Sequence, residues 1–118
     1  MILGIGVDIV NISRFEEKEK NPQFLRRVFS EYEQKYLKER NIQSMAGLFA
    51  AKEAVVKALG VGFDGFFPCE IEVRHTKKGA PYINLLGKAA ELGNGGTFNL
   101  SISHTNTDAI AFAVLSCQ

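Results

Sequence analysis

The chain has 118 residues, 46% hydrophobic and 23% charged, which suffices for one domain with its own core. A net charge of +1 gives no electrostatic support for nucleic acid or membrane binding, and no apolar run predicts a transmembrane helix. The N-terminus lacks the basic leader of a signal peptide. We therefore expect a cytoplasmic protein in which Cys69 and Cys117 are free thiols.

The first forty residues are predicted to form a strand followed by short helices. Residues 2–10 are nearly all apolar, which favours a strand buried on both faces. The segments 13–16 and 30–33 each have the spacing of a capping box, so a helix is expected to begin at each. The second of these would be a charged, solvated helix over 30–40. Between them, Pro22 suits the first turn of a helix over 22–29.

The segment 45–60 carries the most information. Laid on a helix of 3.6 residues per turn, it has bulky apolar residues on one arc and alanines on the opposite arc. Such a helix should be buried on all sides, beginning after a Ser44 cap and ending at Gly60. Yet it contains Lys52, Glu53 and Lys57, and buried charges are costly unless they are paired or bind an ion. This need for internal charge points to function.

The rest of the chain is predicted to be mainly strand. Turn residues and alternation of apolar and polar residues separate the elements. In chain order they are a half-exposed strand over 70–74, a turn at 77–81, a strand over 82–85, a short helix over 87–92, a strand over 98–103 and a central strand over 109–115. Together they predict a single α+β domain over 1–118, with a mainly antiparallel sheet packed on the all-apolar helix.

Several polar residues could carry chemistry, and each also has a structural interpretation. Asp8 is either a strand-end acid bonded to the backbone or a ligand for a hard cation such as magnesium, which takes one or two protein carboxylates. Glu53 and Lys57 have the spacing of a surface ion pair, and Lys52 could reach solvent along its own stem. His104 shares the phase of the inward residues of its strand, whereas we interpret His75 as solvated.

A glycine-rich segment at 60–65 matches G-x-G-x-x-G, but it follows a helix, whereas the dinucleotide fingerprint opens one. It is therefore interpreted as a helix stop and a loop. Phe63, Phe66 and Phe67 come next to this loop and could form a partner-facing patch, with at least one of them in the core.

Three motifs in order resemble those of a known family. They are the segment 4–10 (GIGVDIV), the segment 49–54 (FAAKEA) followed by Lys57, and the segment 101–105 (SISHT). Their order and spacing are similar to those of the holo-[acyl-carrier-protein] synthase family, the small bacterial type of 4′-phosphopantetheinyl transferase. The resemblance covers essentially the whole chain and implies the fold of that family.

The resemblance also implies an activity and a site. The activity is transfer of the 4′-phosphopantetheine arm from coenzyme A to a serine of apo acyl carrier protein, with release of adenosine 3′,5′-bisphosphate. The implied residues are Asp8 and Glu53 as magnesium ligands beside the pyrophosphate, Lys57 on the same phosphates, and Gly79, Pro81, His104 and Thr105 along the coenzyme A site. The chain departs from the family at Leu48, where an arginine that helps grip coenzyme A often stands.

The family further implies a homotrimer with active sites between subunits. Arg14, Arg26 and Arg27 fall in the region that family members use to dock the acidic carrier protein. The sequence leaves open whether Glu53 or a magnesium-bound water accepts the serine proton.

Two other hypotheses use the same residues differently. One is a magnesium-dependent hydrolase of nucleotide pyrophosphates with water as the nucleophile, which needs no protein partner. The other is a non-enzymatic module that oligomerises through the alanine face of the central helix.

Overall fold

A three-stranded sheet, a separate hairpin and one long helix make up the frame of the molecule. The computed structural model describes residues 1–93 and 95–117. Within them the strands are β1 (Ile2–Asn11), β2 (Ile71–His75), β3 (Pro81–Leu85), β4 (Thr97–His104) and β5 (Asp108–Ser116), and the helices are α1 (Phe15–Lys18), α2 (Pro22–Val28), α3 (Glu31–Lys38), α4 (Ile42–Leu59) and α5 (Gly87–Gly93).

The strand pairs formed by the described residues are all antiparallel. The larger sheet has the order β1-β5-β4, and β2 pairs with β3 in a second, two-stranded sheet. The predicted α+β class is therefore confirmed, as is the central position of the last strand. No helix among the described residues has the length and apolar character needed to cross a membrane.

Helix α4 packs directly against the backbone of the sheet. A Cβ atom built on Gly6 would lie 1.9 Å from the carbonyl oxygen of Ala54, and one built on Gly4 would lie 1.9 Å from that of Ala58. Only glycine permits so close an approach. The alanine arc of α4 is thus covered by β1 within the same chain, which is contrary to the hypothesis of an interaction module that oligomerises through this face.

The outer face of the larger sheet departs from the prediction. Residues 2–10 were expected to be buried on both faces, but the outward side chains of β1 are exposed, including Ile5 at 60% and Ile9 at 65%. The reason is that α4 covers one face of the sheet and no element among the described residues covers the other. Val7 and Ile9 lie opposite Phe112 and Ile110 of β5, so the exposed side chains form a continuous apolar surface.

Asparagine caps replace two of the predicted serine caps. The capping box predicted at 13–16 is wrong. A short 3₁₀ turn over Ile12–Arg14 precedes α1, and Asn11 caps this turn by accepting a hydrogen bond from the Ser13 amide. Helix α4 is capped by Asn41, which accepts from the amide of Ser44 at 3.0 Å. The capping box at 30–33 is confirmed, and so is the end of α4 at Gly60, which has a φ of 77°.

The hairpin of β2 and β3 is more buried than the alternating pattern predicts. Ile71, Glu72 and Val73 are all buried, because α3 packs on the second face of β2. The Glu72 carboxylate accepts hydrogen bonds from Arg74 Nε at 2.6 Å and from Asn84 Nδ2 at 3.0 Å. The contact from Asn84 joins the two strands of the hairpin, whereas the contact from Arg74 lies within β2.

Candidate functional site

Asp8, Glu53 and Lys57 come together between β1 and α4. Asp8 lies on the face of β1 that packs against α4, and Lys57 Nζ lies 3.3 Å from its Oδ1. The same ammonium donates to the carbonyl oxygen of Val7 at 2.9 Å. Glu53 precedes Lys57 by one helical turn and so lies on the same side of α4. The fold thus assembles three of the residues that the sequence analysis selected.

The two carboxylates of this cluster are close enough to repel each other. Burial raises the pKa of Glu53 above its ordinary value, and the negative charge of Asp8 raises it further, while Lys57 and Arg14 oppose the shift. Asp8 Oδ2 is buried and accepts no hydrogen bond from any of the described residues, although Asp8 Oδ1 faces Lys57. A buried carboxylate oxygen without a partner is costly and calls for a cation or a donor.

The carboxylates of Asp8 and Glu53 suit a hard cation that takes most of its ligands from water or from a substrate. The described residues contain no group of three or more His, Cys, Asp or Glu side chains that could form a complete protein cage. Magnesium needs only one or two carboxylates and takes its remaining ligands from water and phosphate oxygens. Asp8 and Glu53 could hold such an ion at a site open to a phosphorylated substrate.

Lys52 belongs to a different arrangement on another side of α4. Its side chain is 1% exposed and pairs with Glu33, which is 0% exposed, at 2.7 Å. The ammonium also donates to the carbonyl oxygens of Pro68 and Ile71. Lys52 therefore does not reach solvent along its stem; it has the buried carboxylate partner that a charged group in the core requires.

Glu33 is the centre of this buried group. One carboxylate oxygen accepts from the Ser30 amide at 2.9 Å and the other from the Val73 amide at 2.8 Å, in addition to Lys52. Burial is the largest influence on both charged groups: it raises the pKa of Glu33 and lowers the pKa of Lys52, with each charge partly offsetting the shift of the other. The prediction of a solvated helix over 30–40 is wrong at this residue, because its capping glutamate also bonds to α4 and β2.

A cavity of about 170 Å³ lies between the start of α4, the hairpin and the end of β4. It brings together Gly79, Pro81 and His104, which the sequence analysis had grouped only through the family resemblance. Buried Leu48 forms part of its wall. The remaining lining residues are Tyr36, Gln43, Ser44, Gly47, His75 and Ile102.

His75 lines this cavity. The prediction that it is a solvated residue of the hairpin is therefore wrong. Its ring stacks on Tyr36 at 4.6 Å between centroids, and the Arg40 guanidinium lies 4.6 Å from the other ring of the stack. Burial lowers the pKa of His75, with a smaller contribution from the positive charge of Arg40. Sequence reasoning missed Tyr36, because no local pattern relates a residue of α3 to the end of β2.

Thr105 lies in the exposed turn that follows His104. Its hydroxyl accepts hydrogen bonds from the amides of Thr107 at 3.2 Å and Asp108 at 3.1 Å. Thr105 is not among the residues that line the cavity. Its hydroxyl therefore shapes the β4–β5 turn, which in turn fixes the end of the strand that carries His104.

The cavity and the carboxylate cluster lie at the same level of the larger sheet. Asp8 of β1 pairs with Ala111 of β5, and Ala111 pairs with Ile102 of β4, which lines the cavity. Neighbouring strands are about 4.8 Å apart, so Asp8 and Ile102 are separated by about 10 Å across the sheet. Helix α4 contacts Ile102 near Gly47 and β1 near Ala54, so the same helix borders both features.

The three arginines occupy two separate regions. Arg14 stacks near Phe49, with its guanidinium 5.5 Å from the ring centroid, and its positive charge opposes the rise in the pKa of Glu53. Arg26 and Arg27 line an open groove of about 460 Å³ together with Gln23, Phe67 and Cys69. Phe66 is buried whereas Phe67 is exposed, so the phenylalanines after the glycine-rich loop divide between core and surface.

Comparison with known proteins gives a consistent result over the whole chain. The model of the 4′-phosphopantetheinyl transferase superfamily matches residues 4–111. A holo-[acyl-carrier-protein] synthase of Clostridium botulinum (strain Alaska E43 / Type E3) is 49% identical over 120 residues, covering 98% of each chain.

Solved structures agree with this match. Helicobacter pylori holo-[acyl-carrier-protein] synthase in complex with coenzyme A has a TM-score of 0.84 and 38% identity, covering 95% of this chain and 99% of that chain. A holo-(acyl-carrier-protein) synthase from Bacillus anthracis in complex with CoA (3′,5′-ADP) has a TM-score of 0.83 and 34% identity, covering 98% and 96%. The chain described here therefore belongs to the holo-[acyl-carrier-protein] synthase family of the 4′-phosphopantetheinyl transferase superfamily.

Proposed function

We propose that this protein transfers the 4′-phosphopantetheine arm of coenzyme A to a serine of an apo acyl carrier protein, depends on magnesium, and releases adenosine 3′,5′-bisphosphate. The observation that carries the proposal is the cluster of Asp8, Glu53 and Lys57. It combines two facing carboxylates, an unpartnered carboxylate oxygen and an ammonium in a half-buried site. This set suits a cation and a pyrophosphate together.

The roles of these residues follow from their charges. Asp8 and Glu53 would hold magnesium, and the bound ion would polarise the pyrophosphate and stabilise its developing charge. Lys57 is 54% exposed, so its ammonium can turn from Asp8 toward phosphate oxygens. The serine hydroxyl of the carrier protein would attack the phosphorus nearer the pantetheine arm and lose its proton to Glu53 or to water, while the phosphoanhydride bond breaks and adenosine 3′,5′-bisphosphate leaves. Catalysis of this kind depends mainly on positioning and electrostatics.

The cavity beside α4 suits the nucleotide half of coenzyme A. It offers Gly79 and Pro81 of the hairpin, the imidazole of His104 and small polar side chains at the start of α4. Pockets for such ligands are typically concave, largely apolar and equipped with a few polar groups. Thr105 would act by holding the turn beside His104.

We propose a homotrimer with active sites between subunits, and the exposed face of β1 and β5 supports it. This face presents Ile5, Val7, Ile9, Ile110 and Phe112 as a continuous apolar surface, and such surfaces mark protein interfaces. Native mass spectrometry should detect a particle of three 13.0 kDa chains. Ile9→Lys should dissociate it, and an assembly unaffected by that change would contradict an interface on this face.

The acidic carrier protein would dock near the three arginines. Arg26 and Arg27 are exposed along the groove beside Phe67, and Arg14 lies near Glu53. Positive charges of this kind accelerate association with an acidic partner, and salt screens the effect. The association rate should therefore fall between low and physiological ionic strength, and a flat salt response would remove the arginines from this role.

The first test is intact-mass spectrometry of an apo acyl carrier protein incubated with this protein, coenzyme A and magnesium. The carrier should gain the mass of one phosphopantetheine arm, and EDTA should abolish the gain. Asp8→Asn should lose transfer, whereas Asp64→Asn, the same change at an exposed loop carboxylate, should retain it.

Two results would contradict the proposal. If the carrier protein stayed unmodified and coenzyme A stayed intact, the proposed transfer to an acyl carrier protein would be contradicted. Cleavage of coenzyme A in the absence of any carrier protein would instead favour the pyrophosphate hydrolase.

A further inference from the structure

We propose that Lys57 couples cation binding to coenzyme A binding: its contact with Asp8 keeps the cation site weak, and the pyrophosphate strengthens the site by drawing the ammonium away. The inference rests on the proposed function. It concerns the order in which the site is assembled, and it assigns Lys57 a role toward the carboxylates in addition to any contact with phosphate.

The geometry places two cations in competition for one carboxylate. Lys57 Nζ lies 3.3 Å from Asp8 Oδ1 and also donates a hydrogen bond of 2.9 Å to the Val7 carbonyl oxygen. The side chain of Asp8 is 16% exposed, so water screens this contact only partly. Any cation on Asp8 therefore experiences repulsion from the ammonium a few ångströms away.

The charges near Glu53 act in the same direction. The positive charges of Lys57 and Arg14 both lie close enough to Glu53 to offset its negative charge. With two acids and two bases, the site has little net charge to attract a divalent cation. Arrival of a pyrophosphate adds negative charge and gives the ammonium a competing partner, so both changes favour the cation.

Lys57 is suited to this exchange, whereas Lys52 is not. The side chain of Lys57 is 54% exposed and donates two hydrogen bonds within the described part of the chain, while that of Lys52 is 1% exposed and enclosed by its partners. Because linkage is reciprocal, the factor by which coenzyme A tightens cation binding equals the factor by which the cation tightens coenzyme A binding.

Manganese binding tests the inference without requiring turnover. Free Mn²⁺ is measured by electron paramagnetic resonance in titrations of the wild-type protein, Lys57→Met and Lys57→Arg, each with and without coenzyme A. Without coenzyme A, Lys57→Met should bind Mn²⁺ about tenfold more tightly than the wild type, since one nearby positive charge is removed. Lys57→Arg keeps the charge and should bind Mn²⁺ like the wild type.

Coenzyme A should tighten Mn²⁺ binding clearly in the wild type and less in Lys57→Met. Lys35→Met is the matched control, since it removes the same charge from an exposed position on α3 and should leave Mn²⁺ affinity unchanged. Asp8→Asn should lose Mn²⁺ binding, which assigns the signal to this site. Thermal melting of each variant establishes that it is folded, and Lys57→Gln provides a second neutral variant.

Equal or weaker Mn²⁺ binding by both neutral variants would overturn the inference, as would a wild-type affinity that coenzyme A does not change. These results are distinct from failure of the proposed function, which the carrier-protein mass assay measures on the same wild-type preparation. Transfer with unchanged Mn²⁺ affinity in Lys57→Met would contradict only the coupling role.

Discussion

Helix α4 carries two lysines five residues apart, and each pairs with a carboxylate. One pair is buried in the core and the other is partly exposed to solvent. Lys52 and Glu33 are enclosed, with four acceptor contacts around the ammonium and two backbone amides on the carboxylate. Lys57 is half-exposed, and its partner Asp8 keeps one buried oxygen without a hydrogen bond.

The difference separates a structural charge pair from a chemical one. A buried pair whose hydrogen bonds are all made has nothing left to offer a ligand, and it holds α3, α4 and β2 together. A pair with an unpartnered carboxylate oxygen and a movable ammonium can still bind a cation and an anion. Both groups satisfy the expectation that charges within this apolar helix require partners, but only the second can bind a ligand.

The largest expected effect is on stability and comes from the enclosed pair. Lys52→Met should lower the free energy of unfolding by about 3 to 5 kcal/mol, because it leaves the Glu33 carboxylate buried and uncompensated. Urea unfolding at fixed protein concentration measures the loss. Lys57→Met, the matched change at the exposed lysine, should cost less than about 1 kcal/mol.

The double variant Glu33→Gln with Lys52→Met sharpens this contrast. It removes both charges while the amide oxygen of Gln can still accept from the Val73 amide, so much of the lost stability should return. If the double variant were as unstable as Lys52→Met alone, the loss would come from packing and not from an unpaired charge.

A smaller effect is expected at the close contact that positions the open cluster. Gly6→Ala should cost about 1 to 3 kcal/mol, because its Cβ would collide with the Ala54 carbonyl oxygen and force β1 away from α4. Asp8 would then move from Glu53, so Mn²⁺ binding should weaken as well. In Gly62→Ala the added Cβ would meet no atom of residues 1–93 and 95–117 within 4 Å, so this variant should leave both properties unchanged. Equal melting temperatures for the two variants would contradict the close packing.

The smallest effect concerns Glu53 and depends on pH. The pKa of Glu53 is raised in the folded protein, so ionising this carboxyl group requires more free energy in the folded state than in the unfolded state. Ionised Glu53 therefore destabilises the fold. Glu53→Gln should therefore slightly stabilise the protein at neutral pH. The gain should fade as the pH falls through the raised pKa of Glu53, and it should be absent below the ordinary glutamate pKa of 4.5, where both states are protonated. Magnesium should stabilise the wild type and not the variant; a pH-independent difference would contradict the raised pKa.

Local sequence signals predicted most of the elements. The capping box at Ser30, the stop at Gly60 and the alternation in 98–103 each depend on neighbouring residues, and the helix and strand limits follow closely. Apart from two helix caps, which are Asn11 and Asn41 and not the predicted serines, the predictions that failed concern what covers a surface. The outer face of β1, the imidazole of His75 and the carboxylate of Glu33 all depend on residues far away in the chain.

The candidate site shows the same division. Periodicity alone indicated that Lys52, Glu53 and Lys57 lie on an apolar helix and need partners, because helical spacing fixes which residues share a side. It gave no means of assigning Glu33 to one lysine and Asp8 to the other, since those contacts span 19 and 49 residues.

By itself, then, the sequence determined that this is an α+β domain built around one apolar helix with charges that must be satisfied. The tertiary structure decided which charged pair is buried with its hydrogen bonds satisfied and which remains available to a ligand. The physical reason is that burial and hydrogen-bond satisfaction depend on what packs against a residue, and that is set only when β1, α3 and the hairpin meet α4.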